Sequence, residues 1–167
     1  MMNIDVENTL NRIRKVTANQ HLGVLATTAE SRPYLSLMVF MISEDLSRIT
    51  LVTRRNTRKY REMVDSPRVA FLIDTRSHAD TFFTATAVIT AEGIATEAAA
   101  GEYPALQASF ISQHEHMAEF VTAEDTAFLF VNVAKYDVVT DFENVKSLDV
   151  DNSDEGITYS VELKANY

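Results

Sequence analysis

The chain has no cysteine and no tryptophan, and only four glycines and three prolines in 167 residues. Without cysteine there is no disulfide, no thiolate-bound zinc or iron–sulfur cluster, and no thiol nucleophile. So little glycine and proline excludes collagen-like and low-complexity chains. Cations are scarce as well. Fifteen Lys plus Arg stand against 24 Asp plus Glu, a net charge of −9. Such a chain repels a phosphodiester backbone, which argues against nucleic-acid partners. No apolar run approaches the ~18 residues that cross a bilayer. The opening MMNIDVENTLNRIRKV lacks the charged-then-apolar order of a signal peptide. A cytoplasmic protein without a membrane partner is expected.

What is present fits one domain with a real core: 46% of residues are hydrophobic and 23% charged. Residues 5–18 read as an amphipathic helix, with Val6, Leu10, Ile13 and Val16 on one stripe. The period then changes. His21–Thr28, Pro33–Ile42 and Arg48–Thr53 read as strands joined by short polar links, as in an antiparallel meander. Asn56–Asp65 reads as a short helix that Ser66-Pro67 ends. Arg68–Ile73, Thr81–Gly93 and Thr126–Val139 supply three more strands. Residues 96–121 look helical, with Leu106, Phe110, Met117, Phe120 and Val121 on a shared face. Adjacent Phe82 and Phe83 send one ring outward. The segment from about residue 141 carries seven acids and two lysines and reads as a last short strand with a frayed end. Long antiparallel strands with so few glycines suggest a mainly β (α+β) fold, a closed or partly closed barrel of six strands with flanking helices.

The few cations are concentrated. Residues 48–68 hold Arg48, Arg54, Arg55, Arg58, Lys59, Arg61 and Arg68 against Glu62 and Asp65, so this window is +5 and the remainder −14. Thr53 ends a strand, and Asn56 or Thr57 can cap the helix that follows. The unpaired N–H groups of a first helical turn carry partial positive charge. With the hydroxyls of Thr53 and Thr57, and with Arg58 and Lys59, they suit a small phosphate monoester. The same run also fits a solvated helix whose bases balance acids elsewhere.

The run LVTRRNTRKYREMVDSPRVAFLI resembles the signature of the pyridoxamine 5'-phosphate oxidase-like, FMN-binding split-barrel family. In that family a strand ends in Thr, Ser/Thr-Arg-Lys starts a helix, and Asn/Ser-Pro-Arg-Val opens the next strand. Here the matching residues are Thr53, then Thr57-Arg58-Lys59, then Ser66-Pro67-Arg68-Val69. Upstream, GVLATTAESRPYLSLMVF is similar to the family's opening hairpin. The resemblance implies a six-stranded antiparallel split barrel as a single domain over residues 1–167. It implies that Thr57, Arg58 and Lys59 bind the FMN phosphate, that Thr53 lies beside the phosphate or ribityl chain, and that Ser36, Leu37, Met38 and Val39 line the flavin. It also implies a homodimer with the flavin at the subunit interface, and an FMN-dependent oxidoreductase acting on a small-molecule substrate.

The oxidases use a C-terminal Trp and Arg. This chain has no Trp and no Arg after Arg76, so the substrate stays unassigned. No catalytic residue is identified, although Tyr34 and His21 are candidate neighbours of the flavin. Some relatives of this barrel bind haem through a histidine. That makes His78, His114 and His116 candidate axial ligands and a haem-binding or haem-degrading protein an alternative reading. A deazaflavin in place of FMN, or a flavin-binding module without turnover, are others. No metal site is expected, because on a continuous helix His114 and His116 would point ~200° apart.

Overall fold

A computed structural model describes residues 4–74, 87–140 and 144–164. Helix α1 (Ile4–Thr17) opens the chain. Asp5 and Glu7 in its first turn and Arg14 and Lys15 in its last complement the helix dipole. Its buried stripe is Val6, Thr9, Leu10, Ile13 and Thr17. Then follow β1 (Leu22–Ala29), β2 (Arg32–Ile42), β3 (Arg48–Arg54), α2 (Arg58–Asp65), β4 (Arg68–Asp74) and β5 (Ala87–Glu97). Helices α3 (Tyr103–Gln113) and α4 (Ala118–Thr122) precede β6 (Thr126–Thr140), β7 (Asn144–Ser153) and β8 (Gly156–Lys164).

The strands lie in the order β3-β2-β1-β4-β5-β6, and β3 also pairs with β6. That extra pairing closes the expected six-stranded antiparallel barrel. Two more strands, β7 and β8, extend the sheet from β6. The long β6 serves both halves: its start pairs with β3 and its end with β7, while β5 runs beside it from Leu129 to Thr140. The β5–β6 register slips between Glu92 and Gly93. A Cβ on Gly93 would sit 2.2 Å from the Asn132 carbonyl oxygen, so only glycine permits this approach.

Two hydrophobic clusters result. The main one fills the barrel with Leu25, Phe40, Ile49, Leu51, Phe71, Ile89, Leu129 and Val131, and α1 caps it through Leu10 and Ile13. The second lies outside the barrel wall. There Val52, Phe128 and Phe130 pack under Phe110 and Val121 of the helical insertion. Strand β3 is therefore buried on both faces, which explains why RITLVT reads as a continuous apolar run without alternation.

Three expectations need correction. The acidic C-terminal segment is not a short strand with a frayed end: β7 and β8 form a hairpin turned by Gly156 at φ 125°. Leu148 and Val150 of β7 are buried while Asp149 and Asp151 face out, an alternation that the number of acids obscures. The insertion is not one helix, since the chain leaves helical geometry at His114 (φ −142°, ψ 72°) and resumes through a 3-10 turn at Glu115–Met117. His114 and His116 therefore do not diverge; their ring centroids are 6.0 Å apart. Strand β5 runs to Glu97 and not to Gly93. Residues 81–86 of that predicted strand, with Phe82 and Phe83, lie outside the described residues, as does His78. No helix among the described residues is long and apolar enough to cross a membrane.

Candidate functional site

A cavity of about 440 Å³ opens where β2, the end of β3, the start of α2 and the helical insertion meet. That volume falls in the range of small-molecule sites, roughly 300–1,000 Å³. Leu37, Met38, Val39 and Val52 form its apolar barrel side, and Met117 and Phe120 face them from the insertion. Thr53, Arg54, Thr57 and Lys59 gather at the polar end, and His116 completes the lining.

The polar end is built by a tight turn. Thr57 caps α2, its hydroxyl accepting from the Tyr60 N–H at 3.4 Å and donating to the Arg54 carbonyl at 2.8 Å. With that proton committed, the 3.1 Å contact between the Thr53 and Thr57 hydroxyls has Thr53 as donor. The N–H groups of Arg58 and Lys59 lie in the first turn and have no acceptor within the helix. They carry partial positive charge, and the helix starts at the end of the cavity where Thr53, Thr57 and Lys59 gather.

Among the described residues, three of the seven bases of the cluster, Arg54, Arg55 and Arg58, pair with carboxylates. Arg54 pairs with Asp125 and stacks 4.4 Å over the Phe120 ring. Arg55 turns away to Glu97 at 2.5 Å, the Tyr103 hydroxyl at 2.8 Å and the Thr126 carbonyl at 2.8 Å. Burial alone would raise the pKa of Glu97. Hydrogen bonds from Tyr60, Arg55 and Tyr103 outweigh it and hold the carboxyl below its usual range. Arg58 donates from Nε to Glu62 at 2.5 Å and lies 4.2 Å over the Tyr34 ring. Glu62 is itself buried and accepts from the Thr27 hydroxyl at 2.5 Å; these two hydrogen bonds keep it ionised below the usual carboxylate range. Lys59 differs. Among the described residues it has no carboxylate partner, its Nζ rests 3.3 Å from the Met38 sulfur, and burial pushes its pKa down. A thioether is a weak acceptor, so this ammonium is poised for an anion.

The cavity thus brings together six of the residues expected from sequence: Leu37, Met38, Val39, Thr53, Thr57 and Lys59. Ser36, paired with Leu25 in the β1–β2 ladder, and Arg58, turned to Glu62, are not on its lining. Arg54, Val52, Met117 and Phe120 are added. The i, i+4 spacing of Arg58 and Glu62 was the visible sign that this arginine would be shared. No sequence signal placed the insertion against β2. His116 reaches the cavity, whereas His114 is 7% exposed and its Nε2 has no hydrogen-bond partner among the described residues. Burial, then the neighbouring His21 and His116, lower the His114 pKa. Among the described residues, no group of three His, Cys, Asp or Glu is arranged to hold a metal ion.

A polar end with one unneutralised cation, joined to an apolar slot, fits a ligand with an anionic tail and a flat apolar body. A family model described as pyridoxamine 5'-phosphate oxidase matches residues 10–140. No curated protein sequence matches the chain. Several solved structures share its fold. A protein of unknown function from Agrobacterium tumefaciens aligns with TM-score 0.71 at 18% identity, over 80% of this chain and 57% of its own. The chain thus spans little more than half the length of that relative. A heme binding protein from Mycobacterium smegmatis aligns with TM-score 0.69 at 14% identity, over 99% of this chain and 91% of its own. A FAD-binding protein from Mesorhizobium loti aligns with TM-score 0.60 at 16% identity, over 75% and 88%.

Proposed function

The chain belongs to the pyridoxamine 5'-phosphate oxidase family, and on that footing we propose that it is an FMN-binding flavoprotein acting as an oxidoreductase on a small molecule. The observation that carries the reading is Lys59, a half-buried ammonium without a carboxylate partner among the described residues, at the start of α2 and at one end of a largely apolar cavity. Lys59 and the first-turn N–H groups of α2 would hold the phosphate, and the Thr53 hydroxyl would turn its proton from Thr57 to it. Leu37, Met38, Val39, Val52 and Phe120 would flank the ring system and exclude water from it. Thr57 acts indirectly, since its hydroxyl fixes the turn that presents those N–H groups. The bound flavin supplies hydride or electron transfer; the protein supplies orientation and a dry, shaped site.

The reading includes a homodimer. On the outer face of β1 and β2, Leu22 lies opposite Val39, Val24 opposite Leu37 and Ala26 opposite Leu35. Leu22, Leu35 and Leu37 are 50%, 64% and 65% exposed. This apolar face runs into the cavity through Leu37 and Val39. A second copy seated on it would cover the leucines and complete the cavity wall.

Titration of the purified protein with FMN, read as quenching of flavin fluorescence, tests the cofactor. Saturable quenching at one flavin per chain is expected, and no quenching contradicts the reading. A second reading, haem, draws on His116 at the cavity wall. A Soret band on adding haemin, with no response to FMN, would favour it.

A further inference from the structure

Three of the chain's four histidines gather beside the cavity. His21 precedes β1, His114 ends α3, and His116 lies in the 3-10 turn that follows. The His21 and His114 rings meet edge to face with centroids 4.9 Å apart, and His114 meets His116 at 6.0 Å. The break in helical geometry at His114 makes this possible, because a continuous helix would have turned the two rings to opposite sides. The three differ in surroundings. His114 is buried, while His21 and His116 are exposed, and only His116 also lines the cavity.

Among the described residues, the lining contains no carboxylate. Its other titratable groups, Lys59 and Arg54, are cations at the polar end, and the hydroxyls of Thr53 and Thr57 do not ionise near neutrality. Imidazole alone among these side-chain types ordinarily titrates between about pH 5 and 8. Among the described residues of this chain, a molecule that gains or loses a proton in this cavity therefore meets one such group, and that group is in contact with water. We propose that His116 is the proton-exchanging residue of the cavity and that His114 positions it; the assignment rests on the flavin reading above. In one direction an O–H or N–H bond of the bound molecule breaks, an N–H bond forms on the His116 ring, and the proton passes on to solvent. The reverse path delivers a proton. His114 suits a positioning role. It is walled in, its Nε2 has no partner among the described residues, and it stands beside both exposed rings. Protonating it together with His116 would set two like charges side by side. Burial disfavours that charge on His114 first. The charged and titratable groups around His116 are Lys59 from α2, Arg54 from β3, His114, and its neighbour Glu115.

The test uses the whole protein with FMN as probe. Fluorescence quenching on wild-type protein establishes whether the cavity takes flavin. On the same samples, NMR titration of the imidazole Cε1–H signals follows His116, identified by its loss in His116→Gln. Saturating FMN is expected to move the His116 midpoint by at least about half a pH unit. A kinetic readout follows oxidation of dithionite-reduced bound FMN by dioxygen. Oxidation of reduced FMN by dioxygen to FMN and hydrogen peroxide consumes one proton beyond the hydride equivalent, and His116 would supply it. In His116→Gln the rate is expected to fall about tenfold or more near neutrality and to lose its pH inflection. His114→Phe, which keeps a ring but no nitrogen, is expected to displace that inflection without removing it. Quenching with an unmoved His116 midpoint and an unchanged pH profile in His116→Gln overturns the proposal and leaves the cofactor reading standing. Absence of quenching overturns the cofactor reading, and the proposal falls with it. An unchanged profile in His114→Phe refutes the positioning role alone.

Discussion

Replacing Lys59 with methionine removes one charge and keeps nearly the same length of side chain. The fold has little to lose, since Lys59 has no carboxylate partner among the described residues and its ammonium touches the Met38 sulfur, a contact that methionine can also make. Flavin phosphate has much to lose. Arg54 shares its charge with Asp125, Arg55 with Glu97, and Arg58 with Glu62, so Lys59 is the unneutralised cation of the cluster's start-of-helix site. A hydrogen bond involving a charged group is worth about 1.5–3 kcal/mol. Lys59→Met should therefore weaken FMN binding about 10- to 150-fold. Riboflavin has the same ring and ribityl chain but no phosphate. Its affinity should move by less than about threefold, under 1 kcal/mol. Parallel fluorescence titrations of wild type and variant with both flavins give the ratio of affinities. Arg55→Met is the control, since Arg55 points to Glu97 and Tyr103 and not into the cavity; its FMN-to-riboflavin ratio should match wild type. A Lys59→Met variant that loses FMN and riboflavin equally, or neither, would refute the phosphate assignment.

Three further outcomes are expected. Gly93→Ala forces a methyl to within 2.2 Å of a backbone oxygen, while nothing lies within 4 Å of a Cβ on Gly101. Overpacking of about 1–3 kcal/mol should lower the melting temperature of the first by several degrees and leave the second near wild type, as thermal unfolding would show. His114 has a folded pKa below its unfolded value, so the unfolded chain binds the extra proton first. Its contribution is complete above the ordinary value of about 6.5 and is lost as pH falls below it, by at most ~1.4 kcal/mol per pH unit. His114→Phe should flatten the stability curve between about pH 6.5 and 5, and an unaltered curve would contradict the buried neutral imidazole. Leu35→Asp, on the exposed face and off the cavity, should convert a dimer of two 18.7 kDa chains to monomer in light scattering; a wild-type monomer would remove the dimer from the account.

The sequence made the barrel legible because its strands are short apolar runs between polar links and its helices carry clear stripes. Val6, Leu10 and Ile13 were readable as a buried face, and they cap the core. The polar end of the site was readable for a different reason. Thr53, Thr57 and Lys59 lie within seven residues of one another, so local geometry alone brings them together. The missing parts depend on long-range placement or on a local break. His114 has no helix-breaking signature such as proline or glycine, yet the chain leaves the helix there, and that departure carries His116 to the cavity. The β7–β8 hairpin was hidden because its acids occupy the outward positions of an alternating strand. The +5 window fits both an anion site and a solvated helix whose bases balance acids elsewhere; two of those acids are Glu97, 42 residues from Arg55 in sequence, and Asp125, 71 from Arg54.

The central claim is that FMN occupies this cavity with its phosphate at the start of α2. Backbone amide NMR shifts on adding FMN test it most directly, residue by residue. The account predicts the largest changes at Arg58, Lys59 and Tyr60, with a second group at Leu37–Val39 and His116–Met117. With riboflavin the second group should persist and the first should shrink. Shifts confined to other surfaces, such as the cleft between α1 and β7 lined by Arg12 and Lys146, or no shifts at all, would contradict it.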